Sequence, residues 1–298
     1  MSERPVLGID IGGSGIKGAP VDLTVGDWAT ERLKIATPAK STPKNVAKIV
    51  KEIVDHFSDT IGDGPIGVTV PAVVMHGVTR SAANIDKAWI DFPIEQLFAD
   101  MLGREVAVVN DADAAGVCEV KYGAAKDRPG LVLVTTLGTG IGTAILHNGV
   151  LIPNAELGHI EIDGHDAESR ASAGVKEREG WSMAKWIPKI ERYYQTLERL
   201  LWPDLIVVGG GISREHERFL PKLTLNTPIV PAMFRNRAGI IGAARLAHDR
   251  LVHPDPLDVT TSPGPGDDRT REAAPGPATS DREDGADGGD RARDDSSS

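Results

Sequence analysis

Short apolar runs that end in glycine alternate with amphipathic segments along most of the chain. Residues 6–11 and 16–21 flank the glycine cluster 12–15, which predicts a β-hairpin. After Thr42-Pro43 the apolar positions recur at the i, i+3, i+4, i+7 spacing, so a helix is predicted to begin at Pro43. Further buried strands are predicted at 66–70, 106–109 and 205–208.

The pattern of two apolar runs around a glycine turn occurs a second time. Residues 131–136 and 143–146 are typical of two strands around the glycine-rich turn 137–142, about 125 positions after the first hairpin. Such a repeat suggests two related domains. The other patterns predict helices over 112–122, from Ser182 onward with Pro188 either bending the helix or marking its start, and over 238–251. This alternation predicts an α/β fold with a cleft at the strand ends that carry glycine turns.

Charge is unevenly distributed along the chain. The 298 residues include 43 Asp and Glu against 33 Lys and Arg, a formal charge of −10. Residues 255–298 hold 12 of these acidic residues and 5 of the basic ones, with no aromatic side chain. They cannot bury enough apolar surface to offset the entropy of ordering, so residues 253–298 are expected to form a disordered acidic tail. The rest of the chain is close to neutral. The overall negative charge is therefore only a weak argument against a polyanionic ligand.

Cys118 is the single cysteine of the sequence, which excludes an intramolecular disulfide framework and a zinc cluster built on cysteines. We expect it to be a buried structural thiol in a reducing cytoplasm. The first residues lack the basic and apolar segments of a secretory signal. The uncharged stretch 129–155 is long enough to cross a bilayer, but its Thr, Gly and Pro residues favour strand–turn–strand, so no membrane partner is expected.

The first candidate for chemistry is the glycine turn Asp10-Ile-Gly-Gly-Ser-Gly-Ile-Lys-Gly18. Its glycines let the backbone approach an anion and point N–H groups at it, and Lys17 adds a positive charge. It is therefore interpreted as a phosphate cradle, with a simple tight hairpin as the alternative. Asp10 at the strand end is suited to holding Mg²⁺ through water. The turn 137–142, with Thr139, offers similar backbone amides, and its alternative is again an ordinary hairpin.

The second kind of candidate is the run Asn110-Asp111-Ala-Asp113 at a strand end. A carboxylate here can take the proton of an alcohol whose oxygen attacks phosphorus. The alternative is that Asp111 or Asp113 caps the following helix. The base and the cap interpretations are compatible if Asn110 or Asp113 caps the helix and Asp111 points into the cleft.

A third candidate is the run Asn154-Ala-Glu156-Leu-Gly-His159, with Glu168 further along the chain. Amide, carboxylate and imidazole groups of this kind suit the vicinal hydroxyls of a neutral sugar. An ordinary loop is one alternative. A metal site is disfavoured because His159 and His165 lack the spacing of a local zinc motif.

Six motifs occur in this order: D-I-G-G-S-G-I-K-G at 10–18, G-V-T-V-P-A at 67–72, N-D-A-D-A-A at 110–115, L-G-T-G-I-G at 137–142, E-L-G-H-I-E-I-D-G-H-D-A-E at 156–168 and V-V-G-G-G-I-S at 207–213. Together they resemble the ROK family of sugar kinases in the actin-like superfamily, and within it the actinobacterial polyphosphate glucokinases. The resemblance implies an actin-like (ribonuclease H-like) two-domain kinase fold with an interdomain cleft. A small N-terminal α/β domain is expected over 1–110, with the helix 238–252 returning to it, and a larger α/β domain over 111–237.

The resemblance also implies a role for each motif. Asp111 is the expected general base on the sugar 6-hydroxyl, and Asp10 is expected to position Mg²⁺ through water. The donor phosphates are expected on Gly12, Gly13, Ser14, Gly15, Ile16, Lys17, Gly138, Thr139, Gly140, Gly209, Gly210 and Gly211. The sugar is expected on Asn84, Asn110, Asp111, Glu156, His159 and Glu168. The spacing after His159 departs from most relatives, which makes the role of Glu168 depend on the structure.

Several departures from the family pattern bear on cofactors. Typical relatives carry a cysteine-rich zinc cluster after the E-L-G-H segment, whereas this chain has no cysteine there, so no structural zinc is expected. Asp113 stands where Asn is usual, and Pro71-Ala72 replaces a Pro-Gly. ROK-type repressors place a helix-turn-helix before the first glycine loop, which here begins within twelve residues of Met1. We therefore expect no nucleic-acid partner.

The activity implied is phosphorylation of glucose at its 6-hydroxyl, with inorganic polyphosphate or ATP as donor and Mg²⁺ required. One alternative is an ATP-only ROK hexokinase, and another is a catalytically silent sugar-sensing protein. Family members are often dimers, so a homodimer is a candidate assembly. A polyphosphate donor needs a basic track leaving the cleft, for which the candidates are Lys17, Arg80, Lys87, Lys121, Lys126, Arg170, Lys176 and Arg178.

Overall fold

The structure is a computed structural model that describes residues 4–82 and 85–252. Asn84 and the expected tail 253–298 lie outside the described residues. The strands are β1 (Val6–Gly12), β2 (Gly15–Asp22), β3 (Asp27–Trp28), β4 (Leu33–Ile35), β5 (Ile66–Val70), β6 (Val74–Met75), β7 (Val78–Thr79), β8 (Val106–Asn110), β9 (Leu131–Leu137), β10 (Ile141–His147), β11 (Val150–Ile152), β12 (Glu161–Ile162), β13 (His165–Asp166), β14 (Leu205–Gly209) and β15 (Ile229–Pro231). The helices are α1 (Pro43–Ile61), α2 (Ile94–Leu102), α3 (Asp111–Tyr122), α4 (Glu168–Ala171), α5 (Ala173–Arg178), α6 (Met183–Leu201) and α7 (Ala238–Val252).

The first sheet has the strand order β3-β2-β1-β5-β8, with β4 also paired to β2. Strands β1 and β2 form the expected antiparallel hairpin, and β5 and β8 run parallel to β1. Asp10 lies opposite Thr69 in the β1–β5 register, and Val70 lies opposite Asn110 in the β5–β8 register. Because parallel strands end at the same edge of a sheet, this register gathers the polar ends of three strands at one place.

The second sheet repeats part of this arrangement, with the order β11-β10-β9-β14-β15. Strands β9 and β10 form the second expected hairpin, and β14 runs parallel to β9. Gly209 lies opposite Thr136 in that register, so the glycine run 209–211 emerges beside the glycine turn of the hairpin. The α/β prediction is confirmed, and so are both hairpins.

Helices cover the two sheets, and the apolar core is shared between helices and strands. Helices α1 and α2 pack on one face of the first sheet and α7 on the other, while α6 and α3 cover the second sheet. Helices α3 and α7 pack against each other. Cys118 of α3 is buried, and this burial raises the pKa of its thiol, as fits a structural role. The domain boundary near residue 110 stays a prediction.

Helices α1 and α6 begin where the sequence predicts, although the expected cap of α1 does not form. Helix α1 begins at Pro43 as predicted, although the Thr42 side chain makes no capping hydrogen bond. Helix α6 begins at Met183, where the Ser182 side chain accepts a hydrogen bond from the Lys185 N–H at 3.3 Å. Pro188 lies inside α6, so the alternative in which it marks the start of the helix is wrong. Ser182 caps the helix early enough for the apolar face to begin before the proline.

Among the helices of residues 4–82 and 85–252, none is both long and apolar enough to cross a bilayer.

Candidate active site

Asp10 is held in place by groups from two neighbouring strands. It lies opposite Lys17 in the first hairpin, and the Lys17 Nζ is 3.3 Å from its Oδ2. The Thr69 hydroxyl of β5 donates to its Oδ1 at 3.0 Å. The carboxylate is therefore oriented before any ligand binds. Thr69 was missed by the sequence reasoning, although its place in the quoted motif 67–72 and at the end of a parallel strand is the signal that could have found it.

Asp111 is the first residue of α3, directly after β8. The helix is capped by Asn110, whose Oδ1 accepts hydrogen bonds from the N–H groups of Ala112 at 2.8 Å and Asp113 at 3.2 Å. The Asn110 Nδ2 donates to the carbonyl of Ala72 at 3.2 Å. Both ends of the Asn110 amide therefore have protein partners. That Asn110 also binds sugar stays a prediction. Asp111 is exposed, and its Oδ1 also accepts a hydrogen bond from the Ala112 N–H at 2.9 Å.

The environment of Asp111 raises its pKa from 3.8 to about 6. The residue keeps contact with solvent, yet protein surrounds its carboxyl closely enough for desolvation to be the largest cause. The negative charge of Asp10 is the second cause, and Glu156 adds to it. A carboxylate with a pKa near the working pH is suited to general base catalysis, since it is largely ionised at neutral pH and still accepts a proton readily.

Asp113 is buried and connects α3 to the loop after β11. Its Oδ2 accepts a hydrogen bond from the Asn154 N–H at 2.8 Å, and its Oδ1 has no partner among the described residues. Burial raises its pKa to about 7, with Glu156 and Asp111 contributing. The Asn154 side chain in turn bonds both the N–H and the carbonyl of Val74, at 2.9 and 2.8 Å. Asn154 therefore joins α3, the loop 153–156 and the strand β6, a structural role that its sequence context did not reveal.

Glu156 and His159 lie on the predicted sugar loop. The His159 Nε2 is 3.9 Å from a Glu156 carboxylate oxygen, and its Nδ1 is 2.8 Å from the Asp166 Oδ2. Asp166 is the largest cause of a raised pKa at His159, and burial is the largest cause of a raised pKa at Glu156. Asp166 thus fixes the imidazole ring, and sequence reasoning missed it because only the folding back of the β12–β13 hairpin brings it to His159.

Glu168 joins the sugar loop to the second glycine turn. Its Oε2 accepts a hydrogen bond from the Ile141 N–H at 2.9 Å, and it lies directly against Gly140. Ligand atoms of His159, Asp166 and Glu168 also lie within 4.8 Å of one another. Since hydrogen bonds within the protein already engage all three, their proximity alone does not define a metal site. The expectation of no structural zinc stays an expectation.

The glycines of the three turns differ in what surrounds them. At Gly13, Gly138 and Gly211 a methyl group in place of hydrogen would meet no atom within 4 Å, and none of the three has a positive φ. The protein itself therefore does not demand glycine there, whereas a ligand that approaches the backbone would. Gly210 is different, because its φ is 81° and an added Cβ would lie 2.3 Å from the Leu137 carbonyl oxygen. Ile16 has a fully buried side chain, so only its backbone can meet a donor.

Asp10, the residue expected to position Mg²⁺, offers carboxylate oxygens that suit a hard cation. The charge of Asp10 raises the pKa of Asp111, so these two carboxylates lie close enough to repel each other. Divalent Mg²⁺ prefers oxygen ligands, keeps several waters and relieves such repulsion.

Asn84, one of the residues expected to bind sugar, lies outside the described residues.

Three comparisons bear on the identity of this site. The model of the ROK family matches residues 6–177. A polyphosphate glucokinase of Mycobacterium tuberculosis (strain CDC 1551 / Oshkosh) is 49% identical over 253 residues, which cover 85% of this chain and 94% of that protein. The corresponding enzyme of Mycobacterium leprae (strain TN) is 47% identical over 248 residues, covering 83% of this chain and 76% of that one. Among solved structures, the inorganic polyphosphate/ATP-glucomannokinase of Arthrobacter sp. strain KM is 50% identical, with a TM-score of 0.79, over 84% of this chain and all of that one.

Proposed function

The chain belongs to the ROK family, and from that premise we propose that it is a polyphosphate glucokinase, which transfers a phosphoryl group from inorganic polyphosphate or ATP to the 6-hydroxyl of glucose. The proposed phosphoryl transfer is supported by one observation on the base. Asp111 stands at a strand end, open to solvent, with its pKa raised to about 6 beside Asp10 and the first glycine turn. The choice of donor and acceptor is supported by the names of relatives that are 49% and 50% identical to it over 85% and 84% of the chain.

The reaction needs a base and aligned donors more than covalent chemistry by the protein. The Asp111 carboxylate accepts the proton of the 6-hydroxyl while that oxygen bonds to the terminal phosphorus. The bond from this phosphorus to the bridging oxygen breaks, and the shortened polyphosphate or ADP leaves with the electron pair. Glu156 and His159 hold the remaining hydroxyls, with His159 oriented by Asp166.

The donor phosphates lie along the open backbone of the glycine turns. Gly13 and Gly138 leave room there for phosphate oxygens to reach backbone N–H groups. Asp10 would hold Mg²⁺ through water, and the cation would supply neutralisation of phosphate charge. Within the protein, Thr69 and Lys17 keep the Asp10 carboxylate at the edge of the sheet.

We also propose that the enzyme works in the cytoplasm and assembles as a homodimer. The single cysteine supports a reducing compartment, and the frequency of dimers in the family supports the assembly.

The proposal is tested by supplying purified protein with glucose, Mg²⁺ and a single donor at a time. We expect glucose 6-phosphate from nucleotide-free long-chain polyphosphate and also from ATP. Activity with ATP alone would overturn polyphosphate use and leave the ATP-only hexokinase. Glucose binding without activity from either donor would favour the silent sensor. Mannose belongs in the same assay because the Arthrobacter structure is of a glucomannokinase.

A further inference from the structure

A cavity of about 210 Å³ lies between the β12–β13 hairpin, helix α4 and helix α6. It is apart from the Asp10–Asp111 centre and is lined by one acidic residue and a concentration of basic ones. The polar lining consists of Asp163, His165, Arg170, Lys189, Arg192 and Tyr193.

The positive charge of this cavity is only partly neutralised. Arg192 is paired with Asp163 through two hydrogen bonds of 2.7 and 3.0 Å. The Arg170 guanidinium contacts the imidazole of His165, and within residues 4–82 and 85–252 it forms no ion pair with a carboxylate. Lys189 likewise has no carboxylate partner in that part of the chain, and its Nζ lies over the Trp181 ring, 4.7 Å from the centroid. Two cationic side chains therefore line the cavity without a counter-charge.

The buried hydroxyl of Tyr193 is a further polar group at this cavity. Tyr193 lines the cavity with only 1% of its surface exposed, and its hydroxyl has no hydrogen-bond partner among the described residues. A buried hydroxyl is normally paired with another polar group. An anion in the cavity, or water that it orders, would supply such a group.

The wall of the cavity is also the support of the second glycine turn. Helix α4 begins at Glu168, which bonds the Ile141 N–H and lies against Gly140, while Arg170 of the same helix lines the cavity. The next helix, α5, is attached to the turn through a hydrogen bond of 2.8 Å from the Gly174 N–H to the Gly138 carbonyl. The cavity and the donor turn are therefore on either side of one short helix.

From this arrangement we propose that the cavity binds phosphoryl groups of an inorganic polyphosphate chain beyond the residue that reacts. The inference rests on the proposed function insofar as polyphosphate is a donor. Internal residues of polyphosphate each carry a negative charge, and Arg and Lys are the side chains that bind phosphate most readily. We expect a donor of three phosphates to end at the glycine turns, so that only longer donors reach the cavity. Arg170 was among the cations expected to form the basic track; Arg80, by contrast, is paired with Asp91.

The test is a double variant, Arg170→Gln with Lys189→Gln, compared with Lys51→Gln on α1. Lys51 is exposed and makes only an i, i+4 pair with Asp55, so its variant controls for loss of surface charge. Binding of long-chain polyphosphate, tripolyphosphate and orthophosphate is measured by calorimetry, and KM values are measured for long-chain polyphosphate and ATP. We expect the dissociation constant and the KM for the long chain to rise at least about tenfold in the double variant, with less than about twofold change for tripolyphosphate and ATP.

The other outcomes of the comparison between parent and double variant count against the inference. Unchanged long-chain affinity overturns it, and a parallel loss for all donors means that the substitutions only disturbed the glycine turn. Orthophosphate binding that is lost in the variant while long-chain affinity is retained identifies a site for a small anion instead. If the parent protein binds long-chain polyphosphate but does not use it, the proposed function fails while the calorimetric comparison still decides the subsite. Tyr193→Phe is a second variant, expected to weaken long-chain binding by a smaller factor without loss of the fold.

Discussion

The two glycine hairpins share a topology but differ in what their strands carry. In the first, two residue pairs back from the turn, Asp10 faces Lys17 as an ion pair. At the corresponding pair of the second, Thr135 faces Thr143. Both threonines are buried, and the Thr135 hydroxyl is 2.8 Å from the hydroxyl of Tyr194. The Thr143 hydroxyl accepts a hydrogen bond from the Leu157 N–H at 3.0 Å.

If the proposed site is correct, this difference gives the two hairpins different roles in phosphoryl transfer. The first brings charge to the site and raises the pKa of Asp111 through Asp10. The second holds neutral hydroxyls in the protein interior, so only the open backbone of its turn is offered to a ligand. A shared hairpin pattern therefore does not imply a shared role, and substitutions in the two hairpins should have different consequences.

The largest effect is expected at Asp111, the proposed base, whose pKa is raised in part by the charge of Asp10. Asp111→Asn removes the proton acceptor while keeping the size of the side chain, so kcat should fall by about 10²- to 10⁴-fold. Glucose affinity, measured by calorimetry, should stay within about twofold of the parent. A variant that turned over at near the parent rate would refute the assignment of the base.

The next largest effect is expected in the turn of the second hairpin. Gly138→Ala adds a methyl group where the protein has open space, so the fold should be unaffected. The methyl would nevertheless obstruct donor phosphates, and the donor KM should rise about 10- to 100-fold. Gly64→Ala, which meets only an ordinary contact at 3.5 Å, is the matched control. A Gly138→Ala protein with an unchanged donor KM would show that the turn does not bind the donor.

Gly210→Ala sharpens the same contrast. Its positive φ and its closeness to Leu137 predict lower stability in denaturant.

A smaller effect is expected from pH. Because the pKa of Asp111 is raised to about 6, its base form is lost as the pH falls through that value. The kcat/KM for glucose should therefore decline about tenfold per pH unit below pH 6 and level off above it. A profile that stays flat down to pH 4.5 would mean that an ordinary carboxyl, or another group, limits the reaction.

The smallest effect on activity is expected in the strands of the second hairpin. Thr135→Val leaves the buried Tyr194 hydroxyl without its partner and should lower the free energy of unfolding by about 1–3 kcal/mol. Activity should change by less than about twofold, since no charge is removed from the site. Thr135→Ser keeps the hydroxyl and serves as the control in urea unfolding. A large loss of kcat in a folded Thr135→Val protein would erase the contrast between the hairpins.

The sequence predicted the α/β fold and both hairpins because their apolar runs and glycine turns are local signals. It also predicted that Asn110 or Asp113 caps the helix after β8, and Asn110 is the cap. The role of Asp111 as the base stays a prediction. The sequence could not locate the contacts that join distant segments. Asp166 reaches His159 only after a hairpin folds back, and Asn154 meets Val74 across 80 positions of the chain. Such contacts depend on tertiary packing, which local patterns do not encode.

The central claim, that the charged hairpin adjusts the base, is tested most directly by titrating the Asp111 carboxyl with carbon-13 NMR, in the absence of Mg²⁺ and substrates. The parent protein is expected to show a pKa of about 6 at this residue. In Asp10→Asn, the lost negative charge should lower that pKa, while desolvation keeps it above 3.8. A parent pKa near 3.8, or a raised pKa that Asp10→Asn leaves unchanged, would contradict the account.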